Sequence, residues 1–213
     1  MEITWLGHSC FRLRSREAVV ITDPCSPASG YSIGKLTADI VTISHDHPGH
    51  NYLKAVAGTP IVITAPGEYE IGGVFIAGIV TYHDGQKGSQ RGKNTAYMIE
   101  MDNIRLCHLG DLGHLPTTEQ VEEMSGTDVL LIPVGGKEII DARTASEVVG
   151  LLDPSVVIPM HYKTAHSTAP LDPIERFLTE MSLPSQVEPL AKVSFNASTL
   201  PHETQIIVLD YKR

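Results

Sequence analysis

No apolar run in these 213 residues approaches the ~18–20 needed to cross a bilayer, and Met1–Cys10 lacks the basic-then-apolar layout of a signal peptide. Cysteine is scarce. Cys10, Cys25 and Cys107 cannot pair completely, and their spacing suggests no disulfide framework. These absences predict a reduced, cytoplasmic protein without a membrane partner. Internal repeats, low-complexity tracts, charge blocks and Pro/Gly/Ser linkers are also missing. Residues 1–213 therefore read as one domain, inside the ~100–250-residue range of single cores. Positive charge is in deficit: 16 Lys and Arg against 25 Asp and Glu give a formal charge of −9. A field of that sign opposes attachment to nucleic acid or anionic lipid. The 42% hydrophobic and 19% charged fractions exclude a disordered or fibrous chain. What is plentiful is histidine, at ten.

Short β-branched and apolar segments between Gly, Ser and Pro predict strands at residues 2–6, 10–13, 18–22 and 39–43, with a loop at 23–36. Further strands are expected at 60–64, 73–82, 95–100, 104–109, 128–133, 155–159 and 205–211. Helices are expected at 51–57 with Asn51 as cap, 117–124 with Thr118 as cap, 142–152 and 171–181. Strands dominate the first half, and strand–helix alternation appears in the second. This predicts an α/β (α+β) protein built as a four-layer αββα sandwich.

His45, His47 and His50 fall within six residues at the exit of a strand, in a loop tightened by Pro48 and Gly49. Histidine is not a turn former. Imidazole is the commonest neutral ligand for zinc and similar ions, and a loop at a strand end can aim several rings at one point. Zinc takes about four ligands, so one loop supplies too few. The others are expected at strand ends as well. His83 follows the 73–82 strand, on a face shared with Phe75, Ala77, Ile79 and Thr81. Asp111 follows Gly110 after the 104–109 strand, and His161 follows the 155–159 strand.

His45-Asp46-His47-Pro48-Gly49-His50, followed in order by His83, Gly110-Asp111 and His161, resembles the metallo-β-lactamase superfamily. Trp5-Leu6-Gly7-His8-Ser9, His108-Leu109-Gly110-Asp111 and Pro159-Met160-His161-Tyr162 are similar to its branch containing ascorbate-6-phosphate lactonase and metal-dependent hydrolases. The resemblance implies an αββα sandwich with a two-metal site along one edge. His45, His47 and His83 would hold one ion, Asp111 would bridge, and His50 and His161 would help hold the other. The ions would be zinc, with manganese as the alternative, and a water between them would attack an ester, lactone or phosphate ester.

One position departs from the family pattern. The loop motif ordinarily carries an aspartate before its final histidine, and Gly49 stands there. Losing an anionic ligand weakens the second site, and Gly49→Asp is expected to raise its occupancy. His8 is grouped with Asp111 as catalytic, touching substrate or orienting a ligand. It replaces the missing carboxylate only if the Gly7–His8 turn lies at the same rim. Asp46, between two ligand histidines, is expected to point away.

Arg91, with Lys87 and Lys93 in the glycine-rich segment after His83, and Lys163, two residues past His161, are candidate contacts for an anionic substrate. His108 reads as a core histidine, His114 follows the Asp111 turn closely enough to reach the site, His166 and His202 read as solvated, and Asn94 as a turn residue. The cysteines read as small core hydrophobes. The expected protein is a metal-dependent hydrolase of a small anionic molecule. Its rivals are a phosphodiesterase or nuclease on the same scaffold, and a non-catalytic metal-binding module.

Overall fold

A computed structural model describes residues 1–211. The chain runs through β1 (Glu2–Gly7), β2 (Cys10–Arg14), β3 (Val19–Thr22), β4 (Leu36–Thr37), β5 (Ile40–Thr42), β6 (Val56–Ala57) and β7 (Ile61–Ile63). Next come β8 (Gly67–Ile71), β9 (Val74–Tyr82), β10 (Lys93–Met101) and β11 (Ile104–His108). Helix α1 (Thr118–Glu123) leads to β12 (Val129–Pro133), α2 (Ala142–Leu152) to β13 (Val156–Met160), and then α3 (Ile174–Glu180), β14 (Val193–Ser194) and β15 (Gln205–Ile206) follow. One large sheet has the order β14-β1-β2-β3-β5-β7 and the other β15-β13-β12-β11-β10-β9-β8, while β4 and β6 pair in a separate two-stranded sheet. The mixed α/β architecture of two sheets is as the sequence predicts.

Period-two alternation builds the layers. In the first sheet Ile3, Trp5, Phe11, Leu13, Val20 and Ile40 face the main core with Ile76, Ala96 and Ile99 of the second. Leu6, Cys10, Ile21 and Val41 point the other way, into a smaller core closed by Tyr31, Cys25 and Ile43. Ile33, Leu36, Ala38, Val56 and Tyr211 pack against that outer face, and the neighbouring chain forms 3₁₀ turns at Pro27–Ser29 and Leu53–Ala55. The α-helices come later in the chain, α1 against β9 and α2 against β12. Buried Ala145, Val148, Val149 and Leu152 form the core-facing stripe of α2, at helical spacing.

Several expectations shift. The helix at 51–57 is only the 3₁₀ turn, begun at Tyr52, because the Asn51 amide is bonded to the Asp46 carboxylate instead of capping. Thr117, not Thr118, caps α1, in a reciprocal box with Gln120. Helix α3 starts late because Asp172 N donates to Gly135 O at 2.7 Å, holding 171–172 off helical geometry. The strand at 205–211 is cut to two residues since Leu190 N donates to Val208 O and draws the chain away. Burial along β9 changes phase at Ala77–Gly78: Phe75 is 51% exposed, whereas Ile79 and Thr81 are buried. Phe75 therefore shares no buried face with His83. No helix among the described residues is long and apolar enough to cross a membrane.

Candidate metal centre

Five strand ends meet at one end of the sandwich. The β1–β2 turn brings His8, the exit of β5 brings His45, His47 and His50, and β9, β11 and β13 bring His83, Asp111 and His161. They line a cavity of about 370 Å³ with Asp46, Arg91, Lys137, Glu138, Ala169, Pro170 and Leu171. Gly110, at φ 57°, permits the closure, since a Cβ there would lie 2.5 Å from Ser44 Cβ.

Asp111 is the hub. Its Oδ2 lies 3.1 Å from His50 Nε2, 3.4 Å from His83 Nε2, 3.4 Å from His161 Nε2 and 3.8 Å from His45 Nε2. Three overlapping triads have ligand atoms within 4.8 Å of one another: His45, His83 and Asp111; His45, His47 and His50; His8, His50 and His161. His47 is the exposed member, and its Nδ1 accepts from Gly49 N at 3.2 Å.

Buried polar atoms are normally bonded. Among the described residues the buried side-chain atoms without a hydrogen bond include His45 Nε2, His50 Nε2, His83 Nε2, His161 Nδ1 and Asp111 Oδ1. Inward-facing imidazole nitrogens around one carboxylate suit a divalent cation of the zinc type. Burial, foremost, lowers the pKa of His45 to about 4 and pushes those of His83 and His161 down. Burial and the neighbouring His161 and His50 rings hold His8 well below the usual range. Each of these shifts favours the neutral ring, whose lone pair is free for coordination. Burial opposes charge on His50 too, but Asp111 and Asp23 outweigh it and raise its pKa to about 10. Burial alone would raise Asp111, yet His161 and His50 bring it well below the carboxylate range.

Supporting residues fix these groups. Asp23, wholly buried, accepts from Ser44 N at 2.7 Å and Ser44 Oγ at 2.6 Å, and its Oδ2 lies 2.8 Å from His50 Nδ1. Asn94 is no mere turn residue: it bonds Thr81 Oγ1 and Leu109 O, and its Oδ1 accepts from Asp111 N at 2.9 Å. The sequence reading missed Asp23 and Asn94. Asp23 follows directly on an apolar strand, the same signal that pointed to His83, Asp111 and His161. Asp84 was missed as well. It accepts from the backbone N–H groups of Gln86, Gly88, Gln90 and Arg91, and so shapes the loop carrying Arg91.

Other candidates part ways. Arg91 reaches the cavity paired with Glu138 at 2.9 Å, and Lys137 joins it there. Lys163 does not line the cavity. Its ammonium donates to Ser167 O at 2.8 Å and Ala169 O at 3.4 Å, which ties its own loop together. Asp46 lines the cavity rim, but its carboxylate accepts from Asn51 Nδ2 and it belongs to none of the three triads. His108 is a core histidine, with Nε2 at 2.8 Å from Ser9 O and Nδ1 accepting from Gly110 N. His114 is held by Tyr82 N and Leu115 O and lies outside the cluster. His166 is half-buried against Tyr31 and Tyr211, not solvated.

The profile of the beta-lactamase superfamily domain matches residues 2–161. A metal-dependent hydrolase of Thermococcus onnurineus, of the group called UPF0173, is 29% identical over 194 residues, 77% of this chain and 85% of that protein. A second of that group, from Thermoplasma acidophilum, is 27% identical over 190 residues, 77% of this chain and 84% of the other. Among solved structures, a candidate zinc-dependent hydrolase of the metallo-beta-lactamase superfamily from Thermotoga maritima superposes with a TM-score of 0.80. It is 39% identical, covering 98% of this chain and 97% of that one.

Proposed function

The chain belongs to the beta-lactamase superfamily as a metal-dependent hydrolase, and we propose that it uses zinc, at one or two sites, to cleave an ester, lactone or phosphate ester of a small anionic molecule in the cytoplasm. The observation that carries this is the ring of four imidazole nitrogens within 3.8 Å of Asp111 Oδ2. His45, His47 and His83 would hold the first ion, with Asp111 between it and a second held by His50 and His161. A divalent cation supplies, when bound, Lewis acidity, positive charge and a water acidic enough to attack near neutral pH.

The chain's own residues do the rest. Asp23 orients the His50 ring through Nδ1 and leaves Nε2 facing Asp111. Asn94 aims the Asp111 turn through its backbone N–H. Ala169, Pro170 and Leu171 give one side of the cavity an apolar lining. About 370 Å³ suits a small molecule. Arg91 and Lys137 would orient its anionic end, Arg91 through N–H groups that Glu138 leaves free. The lactone preference rests on the resemblance of the Trp5–Ser9 and His108–Asp111 segments to the lactonase branch. The chain's acidic balance argues against a nucleic acid substrate.

Elemental analysis of protein purified without added metal, followed by a panel of esters, lactones, phosphomonoesters and phosphodiesters, tests the proposal. Bound zinc with turnover of a small ester or lactone is expected, and His47→Ala should lower metal content and activity together. Metal-free protein, or retained metal with no turnover on any class, would overturn it. Turnover confined to nucleic acid would replace the substrate class.

A further inference from the structure

Gly49 and His8 are fitted to each other at the inner wall of the site. A Cβ at position 49 would lie 2.8 Å from His8 Nε2, 3.2 Å from His8 Cδ2 and 3.2 Å from His47 Nδ1. The backbone of Gly49 does not have positive φ, so its geometry accepts a side chain. What excludes one is the His8 ring. A carboxylate introduced by Gly49→Asp therefore reaches the second site only if the His8 ring shifts.

His8 is also held where its residue type is disfavoured. It is the first of two residues joining Gly7 to Cys10 in the β1–β2 hairpin, at φ 55°. Glycine is the ordinary occupant of a positive-φ hairpin position, and a non-glycine residue there carries backbone strain. Two bonds to its carbonyl hold it in place: Trp5 Nε1 donates at 2.9 Å and His161 N at 3.3 Å. The ring, 7% exposed, sits with its centroid 4.0 Å from that of His161 and 4.9 Å from that of His50.

We propose that His8 completes the second cation site with His50, His161 and Asp111, occupying the coordination position for which Gly49 offers no carboxylate. The inference rests on the two-ion reading of the centre. It gives that reading a chemical consequence. Exchanging a carboxylate for an imidazole turns a site suited to harder ions such as manganese into one suited to zinc.

The test uses His8→Gly, which relieves the positive-φ strain and so leaves the metal-free fold at least as stable, judged by its thermal midpoint. The second variant is His8→Gly/Gly49→Asp, in which the two His8 atoms nearest a Cβ at position 49 are removed and His47 Nδ1 stays at 3.2 Å. Metal-free proteins are titrated with zinc and with manganese, and bound ions per chain are counted by elemental analysis. Expected are two zinc ions in the natural chain and one in His8→Gly. The double variant should regain the second ion, with its preference moved toward manganese. A His8→Gly protein that binds as many zinc ions as the natural chain, with unchanged affinities, overturns the role of His8 and leaves the hydrolase reading standing. A natural chain that binds neither ion sinks both.

Discussion

The carboxylate of Asp23 and the imidazole of His50 are 27 residues apart in the chain and 2.8 Å apart in space, both wholly buried. Burial would raise the pKa of Asp23, but His50 and the Ser44 hydroxyl keep it below the usual carboxylate range. Its oxygens also satisfy Ser44 N and Oγ. Asp23→Asn should therefore weaken metal binding about 10–100-fold, the usual effect of losing a group that orients a ligating histidine. Competition with a chromogenic chelator measures this, and unchanged affinity would refute the orienting role.

Asp84 gathers four backbone N–H groups across residues 86–91, and Arg91 lies at the end of that run. Asp84→Ala should release the loop, raising amide hydrogen exchange at Gln86, Gly88, Gln90 and Arg91 while the sheets stay protected. If Arg91 contacts substrate, KM should rise more than kcat falls, because ground-state contacts are lost with the loop. Equal exchange in the two proteins would count against the role of Asp84.

All three cysteines are free and buried. Burial raises Cys25 to about 11 and Cys107 to about 12. A thiol whose pKa is higher folded than unfolded favours the folded state below the unfolded value, and that advantage is lost as pH climbs through the folded value. Cys25 should thus cost stability between pH 9 and about 11, on the order of 2–3 kcal/mol. Urea unfolding across that range should show the decline, and Cys25→Ala should reduce it. At pH 8 the native chain should resist a thiol reagent and yield three equivalents once denatured. Rapid labelling of the native protein would contradict the burial argument.

Much of the site was visible along the chain. His45, His47 and His50 crowd one short loop, and His83, Asp111 and His161 each follow an apolar strand; both signals are local. Asp23 carries the second signal but sits in loop-like surroundings, and Asn94 looks like an ordinary turn residue because its partners, Thr81 on β9 and Leu109 and Asp111 just past β11, are distant in sequence. Lys163 was misjudged for the opposite reason. Nearness in sequence to His161 suggested nearness to substrate, but carbonyls of its own loop take up its ammonium group.

The order of residues alone determined the two-sheet architecture and the donor types, because strand alternation and side-chain chemistry are properties of short stretches. Which donors share one space was decided only in three dimensions. Gly49 looked like a deficiency from its own neighbourhood, and His8 like a turn residue from its own. Their complementarity exists because the β1–β2 hairpin and the exit of β5 close over the same end of the sandwich, a contact between chain segments some forty residues apart.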